Sequence, residues 1–174
     1  MSEGGALKGK RILIVDDEAD VLATLTDLLE GCLVDEAASF EAARTLLEEK
    51  TFDAAVLDIM GVRGYDLLEL AARRGVPTLM LTAHALSPDN LVKSIRMGAQ
   101  AYLPKDKLDE IESYLAEVLR ARTEGTGPSR TWFARLKPFF DEKFGQRWRD
   151  GDRRFWEEFD RGRLPSPPLP PGSW

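Results

Sequence analysis

Four apolar runs in this chain each end in a residue that can do chemistry. Ile12-Leu13-Ile14-Val15 leads into Asp16-Asp17-Glu18, and Ala54-Ala55-Val56-Leu57 leads into Asp58. Leu79-Met80-Leu81 leads into Thr82, and Ala101-Tyr102-Leu103 into Pro104-Lys105. Two carboxylates about 4 Å apart repel by about 4 kcal/mol at an effective dielectric near 20. One lysine cannot neutralise Asp16, Asp17 and Asp58 together. Such a cluster calls for a hard divalent cation that takes oxygen ligands and keeps some of its waters, which describes Mg²⁺. A carboxylate beside that cation, a hydroxyl and an ammonium can accept a phosphoryl group. Each residue alone has a plainer reading: a helix cap for Asp16-Asp17, a loop acid for Asp58, a strand-end cap for Thr82, a solvated Lys105. Their joint placement at the ends of strands favours the chemical reading.

The elements that must position them follow from the hydrophobic pattern. The apolar runs are short and continuous, as in strands buried on both faces of a helix-covered parallel sheet. Strands are expected at Ile12–Val15, Val34–Ala37, Phe52–Leu57, Pro77–Leu81 and Ala101–Leu103. Between them lie helical patterns: Val21, Leu22, Leu25, Leu28 and Leu29 before Gly31, and a helix capped by Ser39. Further helices are expected over Tyr65–Arg74, from Pro88 or Asp89 to Gly98, and over Leu108–Arg122. Strands alternating with helices predict an α/β fold with a doubly wound, five-stranded parallel sheet. In such sheets ligands bind outside the carboxyl ends of the strands, where the four motifs lie.

The chain has 174 residues and a formal charge of −6, which argues against a protein devoted to nucleic acid or anionic lipid. Its single cysteine, Cys32, allows no intrachain disulfide. No signal peptide is legible, and no apolar run approaches the roughly 20 residues of a membrane span. A soluble, cytoplasmic protein with no membrane partner is expected. Residues 123–130 read as a linker and 164–174 as an extended, proline-rich tail. Between them, 131–163 read as a helical extension holding six of the eight Phe and three of the four Trp. Trp132, Phe133, Leu136, Phe140 and Phe144 fit one helical face, kinked or restarted at Pro138. Asp152 is placed to cap a second short helix carrying Phe155, Trp156 and Phe159. These rings must bury somewhere: either on the chain's own sheet domain, or against a partner or a second copy.

The motifs Val15-Asp16-Asp17-Glu18, Leu57-Asp58-Ile59-Met60, Leu81-Thr82-Ala83 and Gly98-Ala99…Tyr102-Leu103-Pro104-Lys105 resemble those of the receiver domain of bacterial two-component response regulators. The likeness covers about residues 9–122. It implies the flavodoxin-like receiver fold, with Asp58 as phosphoacceptor, fed by a histidine kinase or phosphotransfer protein. By the same likeness, Asp17 binds Mg²⁺ directly, Asp16 assists through water, and the Met60 backbone carbonyl is a further ligand beside Asp58. Thr82 and Lys105 contact the phosphoryl group, Ala83 leaves access to it, and Tyr102 matches the aromatic switch residue. His84, two residues beyond Thr82, is either a solvated loop residue or a modulator of phosphoryl hydrolysis. The chain departs from the family where Met60-Gly61 comes one residue early, and where Asp106 replaces the usual proline after the lysine. Residues 131–163 are too few for a winged helix and show no recognition-helix pattern. The expected function is a phosphorylation switch acting on protein contacts, through an unidentified downstream protein reached by residues 131–160. It is regulatory rather than enzymatic, apart from its self-catalysed phosphoryl acceptance and slow autodephosphorylation. The alternative is a scaffold that no longer cycles phosphate.

Overall fold

The computed structural model describes residues 3–123 and 130–162. In chain order these form α1 (Glu3–Leu7), β1 (Arg11–Val15), α2 (Ala19–Leu28), β2 (Leu33–Ala37), α3 (Phe40–Glu49) and β3 (Ala54–Asp58). Then come α4 (Gly64–Arg73), β4 (Thr78–Thr82), α5 (Pro88–Arg96), β5 (Ala101–Pro104), a 3-10 turn (Lys105–Glu110) and α6 (Ile111–Thr123). The extension is α7 (Thr131–Phe144), a second 3-10 turn (Trp148–Asp152) and α8 (Arg153–Asp160). The five strands are parallel, in the order β2-β1-β3-β4-β5, so the doubly wound sheet is present. Every residue of β3 and β4 is buried, while in the edge strand β2 only Ala37 is. That difference explains why β2 carries Asp35 and Glu36, whereas the central strands carry almost continuous Ala, Val, Leu and Met.

Element ends are fixed by local chemistry. Ser39 Oγ accepts from Ala42 N–H (3.2 Å) to start α3, and Ser87 Oγ accepts from Asn90 N–H (3.1 Å) to start α5. Several boundaries differ from the sequence reading. β3 starts at Ala54 rather than Phe52, because the Asp53 carboxylate accepts from Arg11 N–H at 2.9 Å and turns the chain into the sheet. It also runs one residue further, so Asp58 belongs to the sheet and lies in register with Leu81. β4 is shifted by one in the same way, which puts Thr82 in register with Pro104. The last helix of the sheet domain begins with the 3-10 turn from Lys105 and becomes α-helical only at Ile111. α1 was not foreseen: its five residues fall short of a legible period, and it is held against α6 by the buried Leu7.

The aromatic extension packs on the chain's own sheet domain. α7 runs through Pro138 without a restart, with Trp132, Phe133, Leu136 and Phe140 buried and Pro138 on the exposed side. Asp152 caps α8, its Oδ1 accepting from Phe155 N–H at 3.2 Å, as the spacing predicts. The rings of the two helices interleave: Phe133 stacks on Trp156 with centroids 4.9 Å apart and meets Phe159 edge-on at 5.1 Å. They share one core with the sheet and its helices. Most of the linker and all but the start of the region beyond α8, including the proline-rich tail, lie outside the described residues. Among the described residues no helix is long and apolar enough to cross a membrane.

Candidate functional site

The carboxyl ends of β1, β3, β4 and β5 converge, and the residues named from sequence converge with them. Asp16 follows β1 and is fully buried; Asp58 ends β3 and is 4% exposed. Lys105 follows β5 and reaches across the sheet edge. Its ammonium lies 2.8 Å from Asp16 Oδ2, 3.3 Å from Asp58 Oδ1 and 3.1 Å from Glu18 Oε1. One lysine thus touches three carboxylates, and the third is Glu18 rather than Asp17. Asp17 stands exposed and forms no ion pair among the described residues.

Electrostatics follow from this crowding. Burial, reinforced by the Asp16 charge, pushes the Asp58 carboxyl up to about 6, against the opposing pull of Lys105. Burial alone would lower the Lys105 ammonium, but the Asp16 and Glu18 carboxylates outweigh it and hold the group above the usual lysine range. The site keeps a surplus of negative charge after its one cation is counted. Asp16, Asp17 and Glu18 each offer a carboxylate oxygen, all within 4.8 Å of one another. Hard oxygen donors, a charge surplus and an exposed Asp17 fit a divalent cation of the Mg²⁺ type.

The turn after β3 is shaped to admit Asp17. Gly61 has φ +88°, and a Cβ there would strike the Asp17 carboxylate. Gly64 opens α4 so close to the strand that a Cβ would meet the Asp58 carbonyl oxygen. Met60 sits in this turn with its side chain 55% exposed. Glu18 was visible beside the Asp pair, but no spacing rule marks it as the second partner of a lysine 87 residues away.

On the β4 side, the Thr82 hydroxyl is buried beside the Tyr102 phenol and, among the described residues, has no partner in full hydrogen-bonding geometry. Ala83 and His84 follow it, both exposed. Tyr102 is fully buried in β5, and its phenol donates to the Ala85 carbonyl at 3.3 Å. Burial pushes that phenol up to about 12. Tyr102 therefore points inward and ties β5 to the loop that carries Thr82, Ala83 and His84.

Comparison with known proteins points the same way. Residues 12–116 match the family model of the response regulator receiver domain. The transcriptional regulatory protein TcrA of Mycobacterium tuberculosis is 36% identical over 123 residues, covering 67% of this chain and 48% of that protein. The two-component response regulator ORR21 of Oryza sativa is 30% identical over 133 residues, covering 70% of this chain and 19% of that one. The chain thus spans half or less of the length of these curated relatives. Among solved structures, a CheY-like response regulator receiver domain protein from Methanospirillum hungatei superposes with a TM-score of 0.55 at 34% identity. That match covers 65% of this chain and 98% of the other.

Proposed function

Because the chain belongs to the response regulator receiver family, a regulatory family of two-component systems, we propose that Asp58 accepts a phosphoryl group from the phosphohistidine of a histidine kinase or phosphotransfer protein. The observation that carries this is the Asp58 carboxylate itself. It is buried at the carboxyl end of a central strand, its carboxyl is raised to about 6, and it lies 3.3 Å from Lys105. At neutral pH that group is mostly ionised and nucleophilic, yet poorly solvated. An Asp58 oxygen bonds to phosphorus as the phosphorus–nitrogen bond to the donor imidazole breaks.

Lys105 then follows the charge: its ammonium neutralises a phosphoryl oxygen and gives up part of its hold on Glu18. The unpartnered Thr82 hydroxyl donates to another oxygen, and Ala83 leaves the approach clear. Asp16, Asp17, the Asp58 carboxylate and the Met60 carbonyl are the groups that would hold Mg²⁺. When bound, that ion supplies electrostatic stabilisation of the oxygens in transfer. His84 keeps the plainer reading of a solvated loop residue. The phosphorylated domain acts by changing protein contacts, and the described residues are assigned no role at nucleic acid or membrane.

Intact-mass measurement after treatment with a small phosphodonor and Mg²⁺ tests the assignment. One phosphate mass is expected on the wild type and none on Asp58→Asn, because an amide oxygen is a poor nucleophile. Equal labelling of the two proteins overturns it.

A further inference from the structure

Besides Lys107 of the 3-10 turn, which lies 5.7 Å from the Phe139 ring, the extension has four attachments to the face built by α5, β5 and α6. At its start, the buried Glu117 carboxylate of α6 accepts from Trp132 N–H at 2.8 Å, an anion at the amino end of α7. At its far end, Arg96 in the last turn of α5 pairs with Asp152 at 3.0 Å, and its guanidinium lies 5.0 Å from the Phe155 ring. Between them, Arg135 lies 4.0 Å from the Tyr114 ring of α6. The fourth attachment is Phe140, whose ring centroid is 6.2 Å from that of Tyr102.

Phe140 is the centre of the extension. It is fully buried, and Phe133, Phe139, Phe144 and Trp148 all pack on it within 6.1 Å. A ring so enclosed cannot move aside without disturbing α7 and the 3-10 turn that leads to α8, because close-packed interiors shift between discrete arrangements rather than yield. Tyr102 lies beneath it, and the Tyr102 phenol holds the Ala85 carbonyl in the loop after Thr82.

We infer that α7 and α8 form a built-in cap that pins Tyr102 inward, so that docking of the cap and occupation of the Asp58 site stabilise one another. Turning Tyr102 outward would drive its ring into the place Phe140 fills. While the cap is docked, the loop from Ala83 to Ser87 is held in its present arrangement, with the Thr82 hydroxyl buried and free to take a partner. A phosphoryl group that engages Thr82 favours that arrangement, and therefore the docked cap. Linkage makes the effect reciprocal: whatever factor phosphorylation contributes to cap docking, the cap contributes to phosphoryl retention. The phosphorylated output is then a tightened composite surface of sheet domain and extension, not an extension set free. The inference rests on Asp58 as acceptor for its second half only.

Hydrogen exchange on the full chain tests both halves. The first arm uses no donor and compares wild type with Phe140→Leu and Arg96→Gln. Both variants loosen the cap, and exchange over residues 83–87 is expected to quicken by about 5-fold or more. Unchanged exchange there overturns the inference, whether or not Asp58 takes phosphate. If Phe140→Leu fails to fold, Arg96→Gln, a change at a half-exposed side chain, decides this arm alone. The second arm adds Mg²⁺ and a small phosphodonor, with mass used to follow labelling. Slower exchange over residues 131–160 in the labelled wild type, and faster phosphate loss from Phe140→Leu, are expected. Labelling with no change over 131–160 overturns the coupling alone. Absence of label overturns the acceptor assignment, and the first arm still decides the cap.

Discussion

Replacing Asp58 by Asn should stabilise the metal-free protein above pH 6 and leave it nearly unchanged below pH 4. The sign follows from proton binding. The Asp58 carboxyl is raised from 3.8 to about 6 in the fold, so between those values the folded chain binds a proton that the unfolded chain has released. Stability on this account is full below the unfolded value and is lost as pH rises through about 6. A rise of about two pKa units at about 1.4 kcal/mol each gives roughly 3 kcal/mol. Asp58 is only 4% exposed, so solvent screens little of it. For a chain of this size, about 2–4 °C per kcal/mol converts the figure to roughly 6–12 °C in melting temperature. The assay is a set of paired melts of wild type and Asp58→Asn between pH 4 and 8, in chelator and in Mg²⁺. The difference between the two proteins isolates Asp58 from every other titrating group. It should open across pH 4–7 in chelator and shrink in Mg²⁺, because a cation favours the ionised carboxylate. Parallel curves in chelator would refute the reasoning. So would a less stable Asp58→Asn at pH 7.5, which would mean that the Lys105 ion pair outweighs burial and the Asp16 charge.

Two further substitutions probe the frame around the site. Gly61→Ala meets both a positive φ and the Asp17 carboxylate, so a loss of about 1–2 kcal/mol is expected. Weaker Mg²⁺ binding should accompany it, read by titration calorimetry; an unchanged affinity would separate this turn from the cation site. Glu117→Ala strips the buried Trp132 N–H of its acceptor and should cost about 1–3 kcal/mol in urea unfolding. Unchanged stability would show that α7 is held by its rings alone.

The sheet and its acidic edge were legible because each rests on a local signal. Continuous apolar runs mark central parallel strands, and the residue that ends each run must stand at the sheet's mouth. That logic brought Asp16, Asp58, Thr82 and Lys105 together without any knowledge of distance. It failed by one residue at β3 and β4, since nothing local says whether Asp58 and Thr82 close the strand or open the loop. Their strand character comes from register with Leu81 and Pro104 on neighbouring strands. Glu18 shows the same limit. Its partnership with Lys105 depends on how a lysine side chain is shared among three acids, and that is decided in space. Gly61 and Gly64 were equally opaque: a sequence shows that a glycine is tolerated, not which oxygen its missing Cβ would strike.

The extension marks where sequence reasoning stops for a physical reason. Burial of aromatic rings is non-directional, so nine large rings in under thirty residues fix the need for a covering surface without saying whose surface it is. Direction comes only from groups with geometry, and in this chain those look ordinary in sequence. Arg96 reads as a cation suited to the carboxyl end of α5, and Glu117 as one more acid on an amphipathic helix. In space one holds Asp152 and the other holds the first turn of α7. Because these polar anchors bracket Phe140 above Tyr102, the extension is aligned on the residue that ties β5 to the Thr82 loop. A cap held by rings alone could slide over the face. One bracketed by Glu117 and Arg96 has a fixed register, and a fixed register is what lets a small shift at the Asp58 edge be felt by the cap.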